Sequence, residues 1–482
     1  MLWNSVTAVV LMLLIPAGEP PENPWKEKVA AAVRRAEHGA SVAALREALD
    51  VTWRADDWWA GLKLAQQALK RHHQRGELLG MVVRALWLAG QIEEAERLGA
   101  GILPKTADHV ALRAAIELGL ARRNTAAAEK FAAQLEELKT HAAEDLYEIF
   151  NVRLSSNRLN GAADLVRQAE RATDPQNGYP ENYVGESIEG VADFLDAVGA
   201  APLNQITEFG TAPMPPLVML NLPSCEVYLN GHGPYRMVVD TGGSITLALD
   251  QAVADEVGLK SFGKASVRGV SGKQESSQVL VDDLQIGTIK CRRVVGRAFD
   301  VRKAIMNAAD GIVGTGIFTD GRMTLDFAKG ELAISRSSEQ PGPGKATELL
   351  LVSDAKLIVP VTVEDKPGVA MLDTGADVVA LAPSSLKRLF PDRKVEKFNP
   401  GMALGVGSEG TPAVSIGSGV TLQLAGRTFE NSGGLGLDVL DDVLSPVIGV
   451  QIDILVGMPT FRDMKSCTVD FERGKMWIDW LK

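Results

Sequence analysis

The chain changes its pattern of hydrophobic and polar positions near residue 200. From about residue 25 to 198 the sequence is rich in Ala, Leu, Glu, Arg and Gln, which are strong helix formers. From about residue 215 onward Val, Ile, Thr and Gly dominate, and alternating stretches such as 225–229 (CEVYL) are typical of half-buried strands. The pattern therefore predicts an all-α region over 25–198, a linker over 199–216 and an all-β region after it.

The helical region repeats along its length. The stretch 62–69 is matched by 96–103, and the pair Ala95-Glu96 returns as Ala128-Glu129. A period of roughly 34 residues, with small residues where two helices touch, resembles a tetratricopeptide-like (TPR-like) array; a generic helical repeat is the alternative. An array of this kind offers a concave surface to a protein partner, and a spacer or folding support for the next domain is the competing interpretation.

The β-rich region contains a duplication at a much longer period. The interval from Asp240 to Gly314 is close to the interval from Asp373 to Gly457. Three blocks return in one order at near-equal spacing, which predicts two copies of one lobe, over 217–336 and 346–482, with a surface joint between them at Ser335–Lys345. The paired blocks are 237–244 with 370–377, 310–314 with 453–457, and 325–332 with 469–476.

Each copy delivers an aspartate from an apolar strand into the tripeptide Asp-Thr-Gly, at Asp240 and at Asp373. A single such tripeptide is weak evidence, because an Asp in a glycine turn is more often a turn residue or a cap. Here each motif is followed by a predicted helix (249–257 and 383–390), then by a glycine-rich hairpin and an apolar-apolar-Gly stretch. The recurring context makes a structural duplication with a shared chemical role the better interpretation.

In this context the region from about 215 to 482 resembles the retropepsin-like aspartic proteases, in two successive units. The resemblance implies an all-β bilobal acid-protease fold in which Asp240 and Asp373 face each other across a pseudo-twofold axis. It also implies an activity, hydrolysis of a peptide or protein substrate. Two adjoining carboxyls share one proton and activate a water, so neither a metal nor a cofactor is expected.

The resemblance implies supporting roles as well. Thr241 and Thr374 are expected to interlock beneath the two carboxyls, and Gly242 and Gly375 let the two turns approach closely. The glycine-rich hairpins are expected to close over the substrate as flaps. The residues implied to contact substrate are Asp377, Ser244, Gly269, Val270, Gly405 and Val406.

Three features depart from the family pattern. Gly243 stands where family members usually carry Ala or Ser. Ser244 stands where the second copy has Asp377, so the two halves are not equivalent and Asp377 is expected to bind substrate in one half-site only. Neither predicted flap contains a Tyr, so the pepsin-type flap tyrosine has no counterpart.

Composition and motifs argue against other chemistries. A formal net charge of −11 without a Lys/Arg-rich run disfavours a nucleic-acid partner. There is no HExxH motif, no Cys/His cluster and no Walker loop, and the three cysteines are expected to be buried free thiols. All six histidines lie at or before His232, which leaves that residue alone for a Ser-His-Asp triad in the β-rich half.

The N-terminus carries an apolar run, Val6–Ile15, followed by the small residues Ala17 and Gly18. The run has the length of a signal-peptide core and is too short for a membrane span. We therefore expect a signal peptide over 1–18, export to the periplasm or the extracellular space, and no integral membrane span beyond that segment. A retained N-terminal anchor is the alternative.

Two functional hypotheses from different classes follow. The first is an exported aspartic endopeptidase with both aspartates supplied by one chain. The second is a non-catalytic peptide-binding or scaffold protein, in which the helical repeats supply the main interface and the protease cleft is degenerate. A carboxyl separation beyond about 6 Å favours the second, because the pair then cannot share a proton. A third arrangement keeps the enzyme but pairs lobes between chains.

Overall fold

The computed structural model of the chain describes residues 26–37, 41–55, 57–71, 76–102, 107–139, 142–172, 190–217, 220–243, 246–269, 272–352, 355–392, 402–403, 411–415, 419–433 and 435–482. These residues form two compact units. The helical unit holds Gly18–Pro202 together with Ser445–Gln451, and the β-rich unit holds Leu203–Leu444 and Ile452–Lys482. The predicted signal peptide lies outside the described residues.

The helical unit is built from consecutive α-helices, as the composition of residues 25–198 predicts. None of the helices in the described part of the chain is long and apolar enough to cross a membrane. The helices are α1 (Lys26–Glu37), α2 (Val42–Arg54), α3 (Trp58–Arg71), α4 (Gly76–Leu88), α5 (Ile92–Ile102), α6 (His109–Ala121), α7 (Thr125–Glu137), α8 (Ala143–Ser155), α9 (Ala162–Ala172) and α10 (Val191–Val198).

The repeat in the sequence corresponds to a repeat of helix pairs, in which α2 packs on α3, α4 on α5, α6 on α7 and α8 on α9. The recurring small residues Ala95, Ala128 and Ala163 lie on the second helix of their pairs and are all buried. Gly61 occupies the equivalent place in the first pair, where a Cβ would lie 2.8 Å from Thr52 Oγ1. Small side chains are required because the helix backbones approach too closely for larger ones.

The β-rich unit contains two lobes. In the first lobe the strands are β1 (Gln205–Glu208), β2 (Gly210–Pro213), β3 (Ser224–Leu229), β4 (His232–Asp240), β5 (Leu247–Asp250), β6 (Ser261–Gly269), β7 (Gly272–Ile286), β8 (Ile289–Phe299), β9 (Gly311–Gly314), β10 (Arg322–Asp326) and β11 (Glu331–Ser335). In the second lobe they are β12 (Lys345–Thr347), β13 (Leu350–Val352), β14 (Lys356–Val363), β15 (Lys366–Leu372), β16 (Val379–Leu381), β17 (Met402–Ala403), β18 (Thr411–Ser415), β19 (Val420–Leu424), β20 (Arg427–Ser432), β21 (Leu435–Leu437), β22 (Ile454–Val456), β23 (Met464–Asp470) and β24 (Lys475–Trp480).

Short helices punctuate this half of the chain. Two of them follow β5 and β16, the strands after the two Asp-Thr-Gly turns, at the places predicted from the sequence. The first begins two residues later than predicted because Leu249 and Asp250 complete β5 and Asp250 caps the helix. The short helices are α11 (Gln251–Val257), α12 (Val301–Ala304), a 3₁₀ turn (Thr315–Phe318), α13 (Pro383–Leu389), a π turn (Leu440–Leu444), α14 (Ser445–Ile448) and α15 (Met458–Phe461).

The two lobes share one topology. In the first lobe β4 runs parallel to β9, and β5 pairs antiparallel with β9 on its other side. In the second lobe β15 runs parallel to β22, and β16 pairs antiparallel with β22. The sequence duplication is therefore a structural duplication, and in each copy the strand that leads to the Asp-Thr-Gly turn lies beside the apolar-apolar-Gly strand.

A six-stranded sheet of order β12-β24-β23-β10-β11-β2 joins the lobes, with β10 of the first lobe antiparallel to β23 of the second. Leu325 and Val469 from the two sides belong to one hydrophobic core that extends through both lobes. At the centre of the sheet the hydroxyl oxygens of Thr324 and Thr468 lie 3.0 Å apart. The lobes thus form one compact unit within a single chain.

Part of the predicted linker is structured. Of residues 199–216, two stretches form β1, which pairs with β8 in the first lobe, and β2, which pairs with β11 in the joining sheet. The joint between the lobes is likewise fixed, because Ser337 and Ser338 donate hydrogen bonds to the buried carboxylate of Asp470. Pro and Gly content indicated these segments as connections but gave no sign of their strand pairing.

Candidate active site

The two Asp-Thr-Gly turns meet at the interface of the lobes. Asp240 ends β4, and Asp373 directly follows β15. Because each turn follows a strand at the centre of its lobe, the direction of both carboxyls is fixed by the strand pairing. The Asp373 N–H, for example, donates to the carbonyl oxygen of Val456 on the neighbouring strand at 3.0 Å.

The threonines of the two turns interlock, as the resemblance implied. The Thr241 N–H donates to Thr374 Oγ1 at 3.1 Å, and the Thr374 N–H donates to Thr241 Oγ1 at the same distance. Each hydroxyl also donates across the interface, Thr241 to the carbonyl oxygen of Leu372 and Thr374 to that of Val239. Both threonines are fully buried, so these hydrogen bonds are shielded from water and hold the turns in one geometry.

The first glycine of each turn lies against the carboxyl of the other lobe. A Cβ on Gly242 would stand 2.2 Å from Asp373 Cγ, and a Cβ on Gly375 would stand 2.6 Å from Asp240 Cγ. No side chain fits at such distances, which explains why both positions are glycine. The close approach of backbone to carboxyl is what brings the two aspartates together.

The carboxyls interact directly with each other and with main-chain N–H groups. Asp240 Oδ1 accepts from the Gly242 N–H at 2.8 Å and from the Gly243 N–H at 2.9 Å, and Asp373 Oδ1 accepts from the Gly375 N–H at 2.7 Å. Burial, the charge of Asp240 and a hydrogen bond to Asp240 together raise the pKa of Asp373 well above its usual range. Hydrogen bonds from the Gly375 and Ala376 N–H groups oppose that increase only in part.

A second pair of aspartates supports the turns from behind. Asp310 accepts from the Arg236 N–H at 2.9 Å and from Arg302 Nη2 at 2.7 Å. Asp453, its counterpart in the second lobe, accepts from the Val369 N–H at 2.9 Å and from Arg388 Nη2 at 2.6 Å. Each anchors the strand four residues before the candidate catalytic aspartate. The sequence repeat contained these two aspartates, but their role emerged only from the structure.

The predicted substrate-binding residue Asp377 lies in the second lobe, in an ion pair with Arg462 at 2.5 Å. With its amide oxygen facing Arg462, Asn221 of the first lobe accepts from the same guanidinium at 2.9 Å. Burial raises the pKa of Asp377, and the charge of Arg462 lowers it. Sequence reasoning missed Arg462. Arg462 lies five residues after Gly457, and the residue five positions after Gly314 in the first lobe is Thr319. The predicted asymmetry of the two half-sites thus extends to a second position.

The predicted flaps are described only in part. Gly269 ends β6 and pairs with Gly272 of β7, so an antiparallel hairpin is present in the first lobe at the predicted place. Ser244, Val270, Gly405 and Val406 lie outside the described residues, and their roles stay predictions.

Cys225, Cys291 and Cys467 are buried free thiols, and burial raises the pKa of each to about 12. Asp326 caps a turn by accepting from the Lys329 N–H at 2.9 Å, and Asp470, which is fully buried, accepts from the Arg473 N–H at 3.3 Å and pairs with Arg322. Within the part of the chain that the structure describes, no group of three or more His, Cys, Asp or Glu side chains is placed to hold a metal ion.

Comparison with known proteins agrees with this geometry. Residues 225–317 and 359–460 each match the model of the aspartyl protease family, and each matched segment contains one Asp-Thr-Gly turn and one apolar-apolar-Gly strand. Among solved structures, a retropepsin-like aspartic protease from Rickettsia conorii aligns at 16% identity over 27% of this chain and 94% of that one, with a TM-score of 0.19. No curated protein matches the chain. The two family matches and the topology that the lobes share support an aspartyl-protease-like fold for each lobe.

Proposed function

We propose that the two retropepsin-like lobes form an aspartic endopeptidase, which hydrolyses peptide bonds with a water activated between Asp240 and Asp373. The observation that carries this proposal is the close approach of the two carboxyls, one from each lobe, in turns where Gly242 lies against Asp373 and Gly375 lies against Asp240. Two carboxyls in contact cannot both ionise, so the pair holds a single proton over a wide pH range. One member is then a base for water and the other an acid for the substrate carbonyl oxygen.

The same contact argues against a purely peptide-binding role. A binder has no need to press two carboxyls together, since their mutual repulsion and their burial both cost free energy. Here four interlobe hydrogen bonds from Thr241 and Thr374, and two glycines without space for a side chain, hold that unfavourable arrangement in place. An electrostatically unfavourable pair that the fold holds in place supports a catalytic use of the two carboxyls.

The test is cleavage of a random peptide library over a range of pH, with and without a pepstatin-type inhibitor. The wild-type protein is expected to cleave and the inhibitor to suppress cleavage. Asp240→Ala and Asp373→Ala should each abolish activity while the far-UV circular dichroism is retained, and Asp283→Ala, a surface aspartate of β7 paired with Arg292, should cleave like wild type. A folded wild-type protein without activity, or a fully active Asp240→Ala or Asp373→Ala variant, contradicts the proposal.

Substrate binding in one half-site is assigned to Asp377. Its side chain is about a third exposed and is oriented by Arg462, whose guanidinium is in turn bound by Asn221 of the first lobe. A carboxylate in this setting accepts hydrogen bonds from the main chain of an extended peptide. Asp377→Asn is expected to raise KM by about tenfold with little change in kcat, because binding rather than chemistry is affected. An unchanged KM contradicts this role.

We also propose that the helical unit docks a protein substrate or partner. Its described part contains a groove of about 790 Å³ between α7 and the α8–α9 turn. Two ion pairs line it, Arg153 with Glu136 and Arg158 with Glu129, both at 2.7 Å. If this surface docks substrate, replacing both arginines with Ala should raise KM for protein substrates and leave that for short peptides unchanged. The docking role is contradicted if KM rises equally for protein substrates and short peptides, or if it changes for neither.

Export is proposed from the apolar run Val6–Ile15 and the small residues after it. N-terminal sequencing of the mature protein from a cell fraction tests it. Removal of residues up to about position 18 together with recovery outside the cytoplasm is expected, and an intact N-terminus in the cytoplasmic fraction contradicts it.

A further inference from the structure

The two carboxyls of the pair are not equivalently held by their own turns. Asp240 Oδ1 accepts hydrogen bonds from two successive main-chain N–H groups, those of Gly242 and Gly243. Asp373 Oδ1 accepts from the Gly375 N–H at 2.7 Å, whereas the next N–H, that of Ala376, is divided between the main-chain carbonyl oxygen of Asp373, at 3.3 Å, and the Asp373 carboxyl, on which it has the smallest effect. The turn of the first lobe therefore directs one more well-formed hydrogen bond at its carboxyl than the turn of the second lobe.

The residue type at the fourth position of the turn accounts for this difference. A Cβ on Gly243 would lie 2.9 Å from Asp240 Oδ2 and 3.3 Å from Asp240 Cγ. Only glycine allows the backbone to approach the carboxyl this closely, and the approach brings its N–H within 2.9 Å of Oδ1. The second lobe carries Ala376 instead, whose Cβ needs space of its own. The departure of the sequence from the family pattern at Gly243 thus has a structural consequence.

We propose that Gly243 is a positioning residue that makes Asp240 the ionised member of the pair and leaves the shared proton on Asp373. The inference rests on the proposed peptidase function and assigns the roles within it. A hydrogen bond donated to a carboxylate favours the charged form, and an N–H cannot donate to the protonated oxygen equally well. Asp240 has two short donors, whereas Asp373 has one short donor and a weaker contribution from the Ala376 N–H, so the negative charge is better stabilised on Asp240.

The surroundings of the pair agree with this assignment. Burial first, and then the charge of Asp240, raise the pKa of Asp373, which is the member we infer to be neutral. The next charged groups in the second lobe, Asp377 and Arg462, neutralise each other. Behind the strands, Asp310 is paired with Arg302, and Asp453 is paired with Arg388. These pairs add little net charge that would reverse the preference set by the two turns.

The roles give a balanced reaction. The carboxylate of Asp240 takes a proton from water as the water oxygen bonds to the scissile carbonyl carbon, and Asp373 gives its proton to the carbonyl oxygen, which yields a neutral gem-diol. The diol then collapses: the C–N bond breaks, Asp240 returns its proton to the amine nitrogen, and one diol hydroxyl returns a proton to Asp373. The pair ends as it began, with one proton on Asp373.

The test is a titration of the two carboxyls by NMR in protein labelled with ¹³C at the Asp carboxyl carbon, with signals assigned from Asp240→Asn and Asp373→Asn. In the wild type, Asp240 is expected to ionise first and Asp373 at higher pH. Gly243→Ala should move ionisation toward Asp373 and shift the acid limb of the kcat/KM profile about one pH unit upward. Ala376→Gly, which introduces no new contact, should bring the two titrations closer together.

Prior ionisation of Asp373 in the wild type overturns the inference, and so does an Ala376→Gly variant whose titrations match those of the wild type. Because the NMR titration needs no turnover, it separates this inference from the proposed function. If the protein cleaves peptides but Asp373 ionises first, the proposed function stands and the assignment of roles to the two aspartates is wrong. If Asp240 ionises first but the protein cleaves no peptide, the asymmetry of the pair is present and the proposed function is wrong.

Discussion

Thr241 and Thr374 each accept a hydrogen bond from the other's main-chain N–H at 3.1 Å, across the interface of the two lobes. The pair is symmetric, fully buried and directly beneath the two carboxyls. It ties the geometry of the candidate active site to the association of the lobes. A change that loosens this link is therefore expected to affect stability and activity together.

We expect Thr241→Val to lower the free energy of unfolding of the β-rich unit by about 1–3 kcal/mol. Valine keeps the shape but leaves the Thr374 N–H without its acceptor and the Leu372 carbonyl without its donor. Urea unfolding followed by tryptophan fluorescence measures the change. The double variant Thr241→Val/Thr374→Val should lose less free energy of unfolding than the two single variants together, because both threonines belong to one hydrogen-bond network. Thr207→Val, at an exposed threonine of β1, is the control and should change stability by less than about 0.5 kcal/mol.

Gly242→Ala is expected to abolish cleavage while the lobes remain folded. The new methyl group would lie 2.2 Å from the Asp373 Cγ, so one turn must retreat and the carboxyls must separate. Activity measured beside circular dichroism tests this. The matched control is Gly101→Ala in α5, where an added Cβ meets nothing within 4 Å and alanine favours the helix. Normal activity in Gly242→Ala would show that the close approach of turn and carboxyl is not required.

Asp470→Ala should destabilise the β-rich unit by about 3–5 kcal/mol, because it leaves the mostly buried guanidinium of Arg322 without its carboxylate partner and releases the joint between the lobes. Its repeat counterpart, Asp326, pairs with the exposed Lys329 and serves as the control. Asp326→Ala should cost about 1 kcal/mol or less. Denaturant unfolding of both variants measures the two losses of stability. Equal losses would mean that the buried pair of Asp470 and Arg322 stabilises the unit no more than the pair of Asp326 and Lys329 does.

The stability of the helical unit should fall as pH rises through neutrality, because of Glu148 on α8. Burial, and next the charge of Glu117, raise the pKa of Glu148 from 4.5 to about 8, against the opposing effect of Arg84 and Arg113. Between these values the folded state holds a proton that the unfolded chain releases, so the free energy of unfolding decreases with increasing pH.

Glu148→Gln removes that proton uptake and should flatten the pH dependence, with a gain relative to wild type of roughly 1–3 kcal/mol at pH 8 and little near pH 4. Urea unfolding followed by far-UV circular dichroism at several pH values measures it. Glu144→Gln, on the same helix, is the control and should follow the wild type. If Glu148→Gln is less stable than wild type at pH 8, the expectation is wrong, because Arg84 and Arg113 then stabilise the ionised form of Glu148 in the folded state.

The sequence by itself determined the division into a helical and a β-rich half, the duplication, and the candidate pair of aspartates. Each of these follows from local composition or from a repeat, such as the return of Asp240-Thr241-Gly242 at 373–375, and the structure confirms the fold class. The linker shows the limit of this reasoning: β1 and β2 form there because distant strands offer them partners, which composition does not record.

Only the tertiary structure decided how the site is held. Asp310 and Asp453 were visible in the repeat, but the strands that they anchor, just before each candidate catalytic aspartate, are distant from them in the sequence. Arg462 gave no signal in its own segment, because its partners Asp377 and Asn221 lie in other strands and turns. Spacing can place an aspartate at the end of a strand. Contact across the lobes, which sets the ionisation of the pair, is a property of the folded chain alone.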